Sequence, residues 1–370
     1  MKTNKITPNQ ITLFLILYFF STFVGFFSVQ LIEKAQYDSV LVICISGFVG
    51  CIYAYLTVKL ANRRPKEFIV HYGKEIFPYW IHFFLMGFIF LFCLHGCSIL
   101  LREYDDFLIL VYLPGTPGWA VGTLFGIVIA ITARLGVVAI FRAAQGLFFI
   151  ILFSLLFNNI FIGKELKFDR WMAFVTNHTF PGILKGSYFT SPFLAELVLF
   201  VFIFPFFTEK NKTLKSMVWG IIFACILITT QMVSMLLLFG PSLISHLSFP
   251  MLEMVRFIHI GELIENLDPL LIAVWSTTVY LKISFFLYLS SFILAQLFSL
   301  KDHRPFTFSL AAIMVAMSIR IAKNAADLSF FFETTWATYA YFIESIPILY
   351  LLMDTVRQFW KKRASKKAEN

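Results

Sequence analysis

The chain has 370 residues, of which 59% are hydrophobic and 14% charged, and its mean hydropathy is +0.81. These values are typical of an integral membrane protein and exclude a soluble catalytic domain. The net charge of +9, from 30 basic and 21 acidic residues, is consistent with either a nucleic-acid partner or an anionic membrane surface. The positions of the basic residues decide between the two.

Ten apolar stretches fill the chain, each long enough or nearly long enough to cross a bilayer. A spanning helix needs about 20 mostly apolar residues, and these continuous runs lack the alternation of barrel strands. We therefore predict an all-α polytopic membrane protein with ten transmembrane helices. The predicted spans, numbered one to ten below, cover 11–32, 39–60, 78–101, 119–134, 136–162, 184–207, 216–240, 269–299, 306–323 and 335–356.

Basic residues collect on the side of the membrane that holds the N-terminus. The clusters lie at 63–66, at 210–215 and in the tail 357–370. The positive-inside rule therefore predicts that both termini are cytoplasmic. The basic surplus is a topology signal and an attraction to anionic lipid, and no nucleic-acid partner is expected. Because the connections are short, 1–370 is predicted to be a single transmembrane domain in the cell membrane.

The spans divide into two halves of five, about 11–162 and 184–356, with the shortest spans, four and nine, at equivalent places. Five spans per half require the second half to be inverted relative to the first. This predicts the LeuT-like 5+5 inverted repeat of secondary transporters, whose substrate sites lie near the midplane on interrupted helices.

The first span of each half carries the residue types that a helix interruption needs. Thr22 and Gly25 lie in an otherwise apolar span one, and 186–192 in span six includes Ser187, Thr190 and a proline. These four residues are predicted to contact a ligand. The alternative for 186–192 is a simple loop that enters span six.

Charged side chains inside the spans indicate a site, since each one costs about 2.5–3.5 kcal/mol at the centre of a spanning helix. Glu196 is predicted to contact a ligand ammonium group or a coupled proton. Lys282 or Arg142 is predicted to supply a fixed cation where other transporters use a sodium ion. The alternatives are a structural ion pair and, for Arg142, a side chain that reaches the interface. Thr278, beside Lys282, and His95 in span three complete the predicted ligand site, with a packing role as the alternative for His95.

The chain lacks the signatures of metal, cofactor or enzymatic chemistry. All five cysteines lie in predicted spans; Cys93 and Cys97 flank His95 without a second ligand pair at zinc spacing, which predicts packing residues. No phosphate-binding glycine loop, metalloprotease motif or nucleophile elbow occurs. We expect no metal, no cofactor and no enzymatic activity.

The connection between spans seven and eight, 248–268, is the most distinctive stretch. Pro250 suits the first turn of a helix, and Glu253 and Arg256 are spaced to form an ion pair. Together with Glu262 they are predicted to form an amphipathic cap on the outer face, above a midplane cavity.

This stretch, followed by Trp275 and by the run 282–288 (KISFFLY), resembles the B subunit of spore nutrient-germinant receptors, the GerAB-type endospore germination permeases. The sequence LPGTPGW at 113–119 and Phe204-Pro205 resemble the same family, and the resemblance covers essentially the whole chain. It implies an amino acid/polyamine/organocation transporter-type fold in the inner membrane of a spore. It also implies an A-type membrane subunit and a C-type lipoprotein as partners, and a small nutrient, such as an amino acid, as ligand.

The chain departs from the family pattern at the first helix, where two small residues are usual. Phe27 takes the second place, where it would crowd the substrate site, and Gln30 stands near the expected proline. Asn266 stands where a basic residue is common. The leading hypothesis is a nutrient sensor with its site between spans one, three, six and eight. The alternatives are a proton- or cation-coupled amino-acid permease and an ion or water conduit.

Overall fold

The computed structural model describes residues 5–258 and 267–368 of the chain. Apart from one bridge between Ile6 and Phe207, the described residues form no strand. The helices of the first half are α1 Pro8–Thr22, α2 Ser28–Ala35, α3 Ser39–Ala61, α4 Ile69–Ile76, α5 Tyr79–Val111, α6 Gly118–Leu135, α7 Val137–Ile162 and α8 Ala173–Thr176. Those of the second half are α9 Phe180–Ala195, α10 Thr213–Leu238, α11 Pro241–Ile244, α12 Pro250–Arg256, α13 Asp268–Leu297, α14 Arg304–Arg320, α15 Ala325–Phe331 and α16 Ala337–Ala368. The all-α prediction is confirmed.

Eight helical segments of the described residues are long and apolar enough to cross a membrane. They are Pro8–Gly25, Ser28–Ala61, Tyr79–Val111, Gly118–Leu135, Val137–Ile162, Lys210–Leu238, Asp268–Leu297 and Ala325–Trp360. Predicted span six falls on α9 and the 3-10 segment that follows it, and predicted span nine on α14, which has only 17 residues. The protein is a multi-pass membrane protein, and the count of ten spans stays a prediction.

The first helix is interrupted where Gly25 lies. Thr7 and Gln10 form a capping box at the start of α1. After α1 the backbone passes through a π-helical turn, Phe23–Phe27, in which Gly25 has the non-helical angles φ −81° and ψ −144°, and α2 then follows. A glycine is needed at this point because a Cβ there would lie 1.7 Å from the Glu103 Oε1 atom. The predicted break in span one is present.

The interruption in span six lies later than the residues that predicted it. Ser187, Thr190 and Pro192 belong to α9, and the helix tightens to a 3-10 segment only at Glu196–Phe202. The alternative of a loop over 186–192 is therefore wrong, and so is the position of the predicted break. Pro192 removes one backbone donor from α9. The helix nevertheless continues to Ala195, and its hydrogen bonding changes to the 3-10 pattern only after that residue.

Helix α13 lies at the centre of the molecule, where it packs against α1, α5, α6 and α7. Helix α1 also packs against α10, and α3 packs against α9. Large apolar side chains on the outer helices are exposed, among them Phe48, Phe149 and Ile160. In a soluble protein such a surface would aggregate, whereas lipid solvates it. The arrangement brings the two interrupted helices and α13 together in the interior.

Candidate functional site

Lys282 stands at the centre of the interior, on α13. Its side chain is 2% exposed, and its Nζ atom lies 2.8 Å from the Glu196 Oε2 atom and donates to the Thr22 Oγ1 atom at 2.6 Å. Each of the three side chains comes from a different part of the fold: α13, the 3-10 segment and the end of α1. The structure thus brings together three of the predicted site residues at the two helix interruptions.

Tyr18 completes the surroundings of this ion pair. Its hydroxyl donates to the Glu196 Oε2 atom at 2.6 Å, and its ring centroid lies 4.3 Å from the Lys282 Nζ atom. A buried ion pair is stable only where further hydrogen bonds replace the lost water, and a cation over an aromatic face is stabilised by the negative face of the ring. Tyr18 supplies both interactions with one side chain.

Backbone groups freed by the first interruption find side-chain partners. The Ser21 carbonyl, which an unbroken helix would direct to the Gly25 amide, accepts a hydrogen bond from the Trp275 Nε1 atom at 3.2 Å. The Ser28 hydroxyl donates to the Gly25 carbonyl at 3.3 Å. Since an unsatisfied backbone group is costly at membrane depth, these contacts hold the interruption open as a defined structure.

A cavity lies beside the ion pair. Its polar lining includes Thr22, Glu196 and Lys282, together with Glu103 from α5. Five aromatic rings complete much of the wall: Phe27, Phe193, Phe286, Phe332 and Trp336. The cavity therefore combines ionisable groups at one region with a large apolar wall, as small-molecule sites commonly do.

Two buried carboxyl groups of this region are absent from the sequence-based site. Glu103 is 6% exposed and lies against Gly25, and Glu344, on α16, is fully buried. Glu344 lies within electrostatic range of Glu196 and Lys282, and its carboxyl oxygens have no hydrogen-bond partner among the described residues. Glu103 falls just beyond predicted span three, where a charge is unremarkable. Glu344, in contrast, is an acidic residue near the middle of the apolar stretch 335–356, and its position there was a usable signal.

The remaining predicted ligand residues lie away from this cavity lining. The His95 ring packs edge-on against Phe331 and Tyr339, with centroids 5.6 Å and 5.5 Å away. The Thr278 hydroxyl donates to the Trp275 carbonyl.

Ser187 is only partly buried, and Thr190 lines a second, apolar cavity that Thr22 and Phe27 also border. Arg142 is exposed on α7 and is not among the residues that line the cavity. Of the two predicted cations, only Lys282 lies at the site.

The predicted cap contains the expected helix and ion pair. Pro250 opens α12, and the Arg256 Nη1 atom lies 3.1 Å from the Glu253 Oε1 atom. Arg256 also donates to the Asp268 Oδ2 atom from Nε at 3.0 Å and Nη2 at 2.9 Å, and this hydrogen bonding raises the pKa of Arg256. Burial and the same carboxylate raise the pKa of Tyr112. Glu262, the third predicted cap residue, lies outside the described residues.

Comparison with known proteins identifies the family. Residues 5–326 match the sequence family described as "Spore germination protein". The chain belongs to this family.

Curated relatives agree with the assignment. The chain is 23% identical to Spore germination protein YndE of Bacillus subtilis (strain 168), over 98% of this chain and 99% of YndE. It is 22% identical to Spore germination protein XB of Bacillus anthracis, over 82% of this chain and 83% of that protein. Spore germination protein KB of Bacillus subtilis (strain 168) is 22% identical, over 90% of this chain and 88% of KB.

A solved transporter structure shows the fold. The nucleobase-cation-symport-1 family transporter Mhp1, in a closed conformation with bromovinylhydantoin bound, superposes with a TM-score of 0.62 at 12% identity. The match covers 90% of this chain and 77% of Mhp1. The predicted LeuT-like transporter fold is confirmed, and the protein is a membrane permease-type member of the germination family, not an enzyme.

Proposed function

We propose that this spore germination protein is the nutrient-sensing membrane subunit of a germinant receptor. A small nutrient, with an amino acid as the expected class, binds in the cavity beside Lys282 and triggers germination. The observation that carries the proposal is the buried Glu196–Lys282 pair, which lies at both helix interruptions and borders the cavity. In a transporter fold this is where substrate recognition takes place.

The ion pair supplies a way to couple binding to a conformational change. A ligand ammonium group that pairs with Glu196 displaces Lys282, which then needs a new partner among the groups around α13. Because Glu196 belongs to the 3-10 segment and Lys282 to α13, the exchange favours a different relative position of these two elements. A ligand shifts a conformational population only by its difference in affinity for the two states, and this exchange provides such a difference.

The proposal includes partners and a location. The A-type membrane subunit and the C-type lipoprotein of a germinant receptor would read out the change in the inner membrane of the spore. Support comes from the names of the relatives, all of which are germination proteins. Both termini are proposed to be cytoplasmic on the basis of the basic residues at 63–66, 210–215 and 357–367.

Glu196→Gln tests the sensor proposal. The amide keeps the size of the side chain but removes the charge that attracts an ammonium group. We expect spores with this variant to need at least about tenfold more nutrient for the same germination rate, because the ligand loses one charge-assisted hydrogen bond. Germination rates across a panel of amino acids and sugars provide the measurement, with the amount of membrane-inserted protein determined by immunoblot.

The matched control is Glu165→Gln, an exposed carboxylate on the connection after α7. An unchanged nutrient response of Glu196→Gln at an equal protein level would contradict the proposal. Non-nutrient triggers should act equally on all three spore types, because they do not use the cavity.

The transporter fold favours a second function, that of a proton- or cation-coupled permease which moves its ligand across the membrane. Uptake of radiolabelled amino acids by vesicles that contain the purified chain separates the two. Accumulation against a gradient, in the absence of any partner, would establish the permease. Binding without uptake favours the sensor.

A further inference from the structure

The last of the long apolar segments contains a π-helical turn, Phe332–Trp336, between α15 and α16. A similar turn, Phe23–Phe27, interrupts the first helix. Each turn contributes its final residue, Trp336 or Phe27, to the wall of the central cavity. Because π-helical turns inside α-helices are rare and often occur at functional sites, the second turn points to Trp336 as part of the site.

A buried hydrogen-bonded contact links the two turns. Gln30 lies on α2, just after the first turn, and is 1% exposed. Its Nε2 atom donates to the Ser329 carbonyl at 2.9 Å and to the Ser329 Oγ atom at 3.0 Å. Since Ser329 lies on α15, just before the second turn, the two turns hold a defined position relative to each other.

The indole ring of Trp336 is fixed by its aromatic neighbours. It lies within 28° of parallel to the Phe193 ring, at a centroid distance of 5.4 Å, and within 21° of parallel to the Phe92 ring, at 5.8 Å. The Phe332 ring lies 5.7 Å away. The ring cannot turn without disturbing these contacts, so the direction of its N–H group is fixed as well.

The N–H group of this ring has no acceptor. The Trp336 side chain is 3% exposed, and its Nε1 atom has no hydrogen-bond partner among the described residues. The Nε1 atom of Trp275, which is also buried, donates to the Ser21 carbonyl. An indole nitrogen can only donate, and a buried donor without an acceptor is costly. A fixed, unpartnered donor on a residue of the cavity wall indicates that a bound molecule supplies the acceptor.

We propose that Trp336 is a ligand-binding residue whose N–H group donates to an oxygen atom of the ligand, which for an amino acid is a carboxylate oxygen. The inference rests on the proposed function, which places the ligand in this cavity with its ammonium group at Glu196. The carboxylate of the ligand then accepts from Trp336 and pairs with the displaced Lys282. Each charge that the amino acid brings into the buried site thereby acquires a partner, as a buried charge requires.

An analogue of tryptophan tests the N–H group alone. In benzothienylalanine a sulfur atom replaces the indole N–H in a ring of nearly the same shape. It is incorporated at position 336 of the full chain in lipid nanodiscs, and titration calorimetry measures the binding of each common L-amino acid. The amino acid that the unmodified protein binds most tightly should bind about tenfold more weakly to the analogue, because it loses one charge-assisted hydrogen bond.

The same replacement at Trp219, which is exposed on α10, is the matched control and should leave the affinity unchanged. Equal affinities of the unmodified protein and the protein with the analogue at position 336 would overturn the inference. It would also be overturned if the unmodified protein bound none of the amino acids.

Two further readouts distinguish a hydrogen bond from a packing role of Trp336. The amine formed by decarboxylation of the same amino acid lacks the acceptor, so its affinity should not change with the analogue; an equal loss for the amine and the amino acid would overturn the inference. In protein labelled with nitrogen-15 in its Trp side chains, the Nε1–H resonance that the analogue removes should move to lower field when the amino acid is added. A resonance that stays in place at saturation would also overturn the inference.

The outcomes separate this inference from the proposed function. A tenfold loss of affinity at position 336, in a protein whose spores respond to no nutrient, would support the inference and contradict the sensor. An unchanged affinity at position 336, together with a nutrient response that Glu196→Gln weakens, would support the sensor and overturn the inference.

Discussion

Lys282 and Glu196 stabilise each other in a place where neither could be stable alone. Both are at most 2% exposed, and the lysine has a carboxylate, a hydroxyl and an aromatic ring within contact distance. Removing one partner of a buried ion pair costs about 3–5 kcal/mol, because the other charge is left without compensation. The pair is thus a structural requirement of the site as well as its proposed recognition element.

We expect Lys282→Met to destabilise the protein by about 3–5 kcal/mol, since the Glu196 carboxylate loses its counter-charge. The double variant Lys282→Met/Glu196→Gln removes both charges and should recover most of that loss. Thermal unfolding in one detergent, followed by intrinsic Trp fluorescence, compares the three proteins. A double variant no more stable than Lys282→Met would show that the two charges are not coupled.

The same residues show what sequence reasoning can reach. A charge in an apolar span is costly, so Glu196 and Lys282 were predictable individually. Their contact depends on the rotation of α13 about its axis, which is determined by its packing against several other helices, among them α1, α5 and α14. For the same reason His95 and Thr278, in the expected spans, face other partners. Glu103 escaped prediction because α5 continues to Val111, ten residues past the predicted end of span three.

At the scale of elements, the interruption of the first helix depends on the close approach of its backbone to α5. Gly25 and Glu103 are so near that an added Cβ would lie 1.7 Å from a carboxylate oxygen and 2.5 Å from the Cδ atom. Glycine and proline content predicted interruptions in spans one and six. The position of an interruption also depends on tertiary hydrogen bonds, such as that of Trp275 to the Ser21 carbonyl in span one. Composition does not show such contacts, and the predicted position of the break in span six was therefore wrong.

Gly25→Ala should therefore force Glu103 or the π-helical turn to move and should lower both thermal stability and nutrient response. A steric conflict of this kind typically costs about 1–3 kcal/mol. Gly25→Ala/Glu103→Ala removes the conflicting carboxylate and should restore most of the thermal stability. Circular dichroism melting of the variants measures this, and Gly87→Ala, where a Cβ has open space, is the matched control. Equal melting temperatures for Gly25→Ala and the unmodified protein would refute the close approach.

At the scale of the whole molecule, hydropathy was sufficient to predict the helical membrane fold, because a bilayer admits few other solutions. It was insufficient to establish how many helices cross. The segment formed by α9 and its 3-10 continuation is interrupted, and α14 is short, so neither meets the length of a continuous apolar span. The predicted inverted repeat requires both segments to cross the membrane. The side of the membrane on which each connection lies tests this prediction.

Asn62, before α4, and Ser242, in α11, are exposed and suit this test. Four of the continuous apolar helices lie between them, namely α5, α6, α7 and α10. If the α9 segment also crosses, the two residues lie on opposite sides of the membrane, with Asn62 cytoplasmic according to the basic residues around it. In a background without the native cysteines, we expect a membrane-impermeant thiol reagent to label Ser242→Cys on intact cells and Asn62→Cys only after lysis. Labelling of both from the same side would mean that the interrupted helix does not span the membrane.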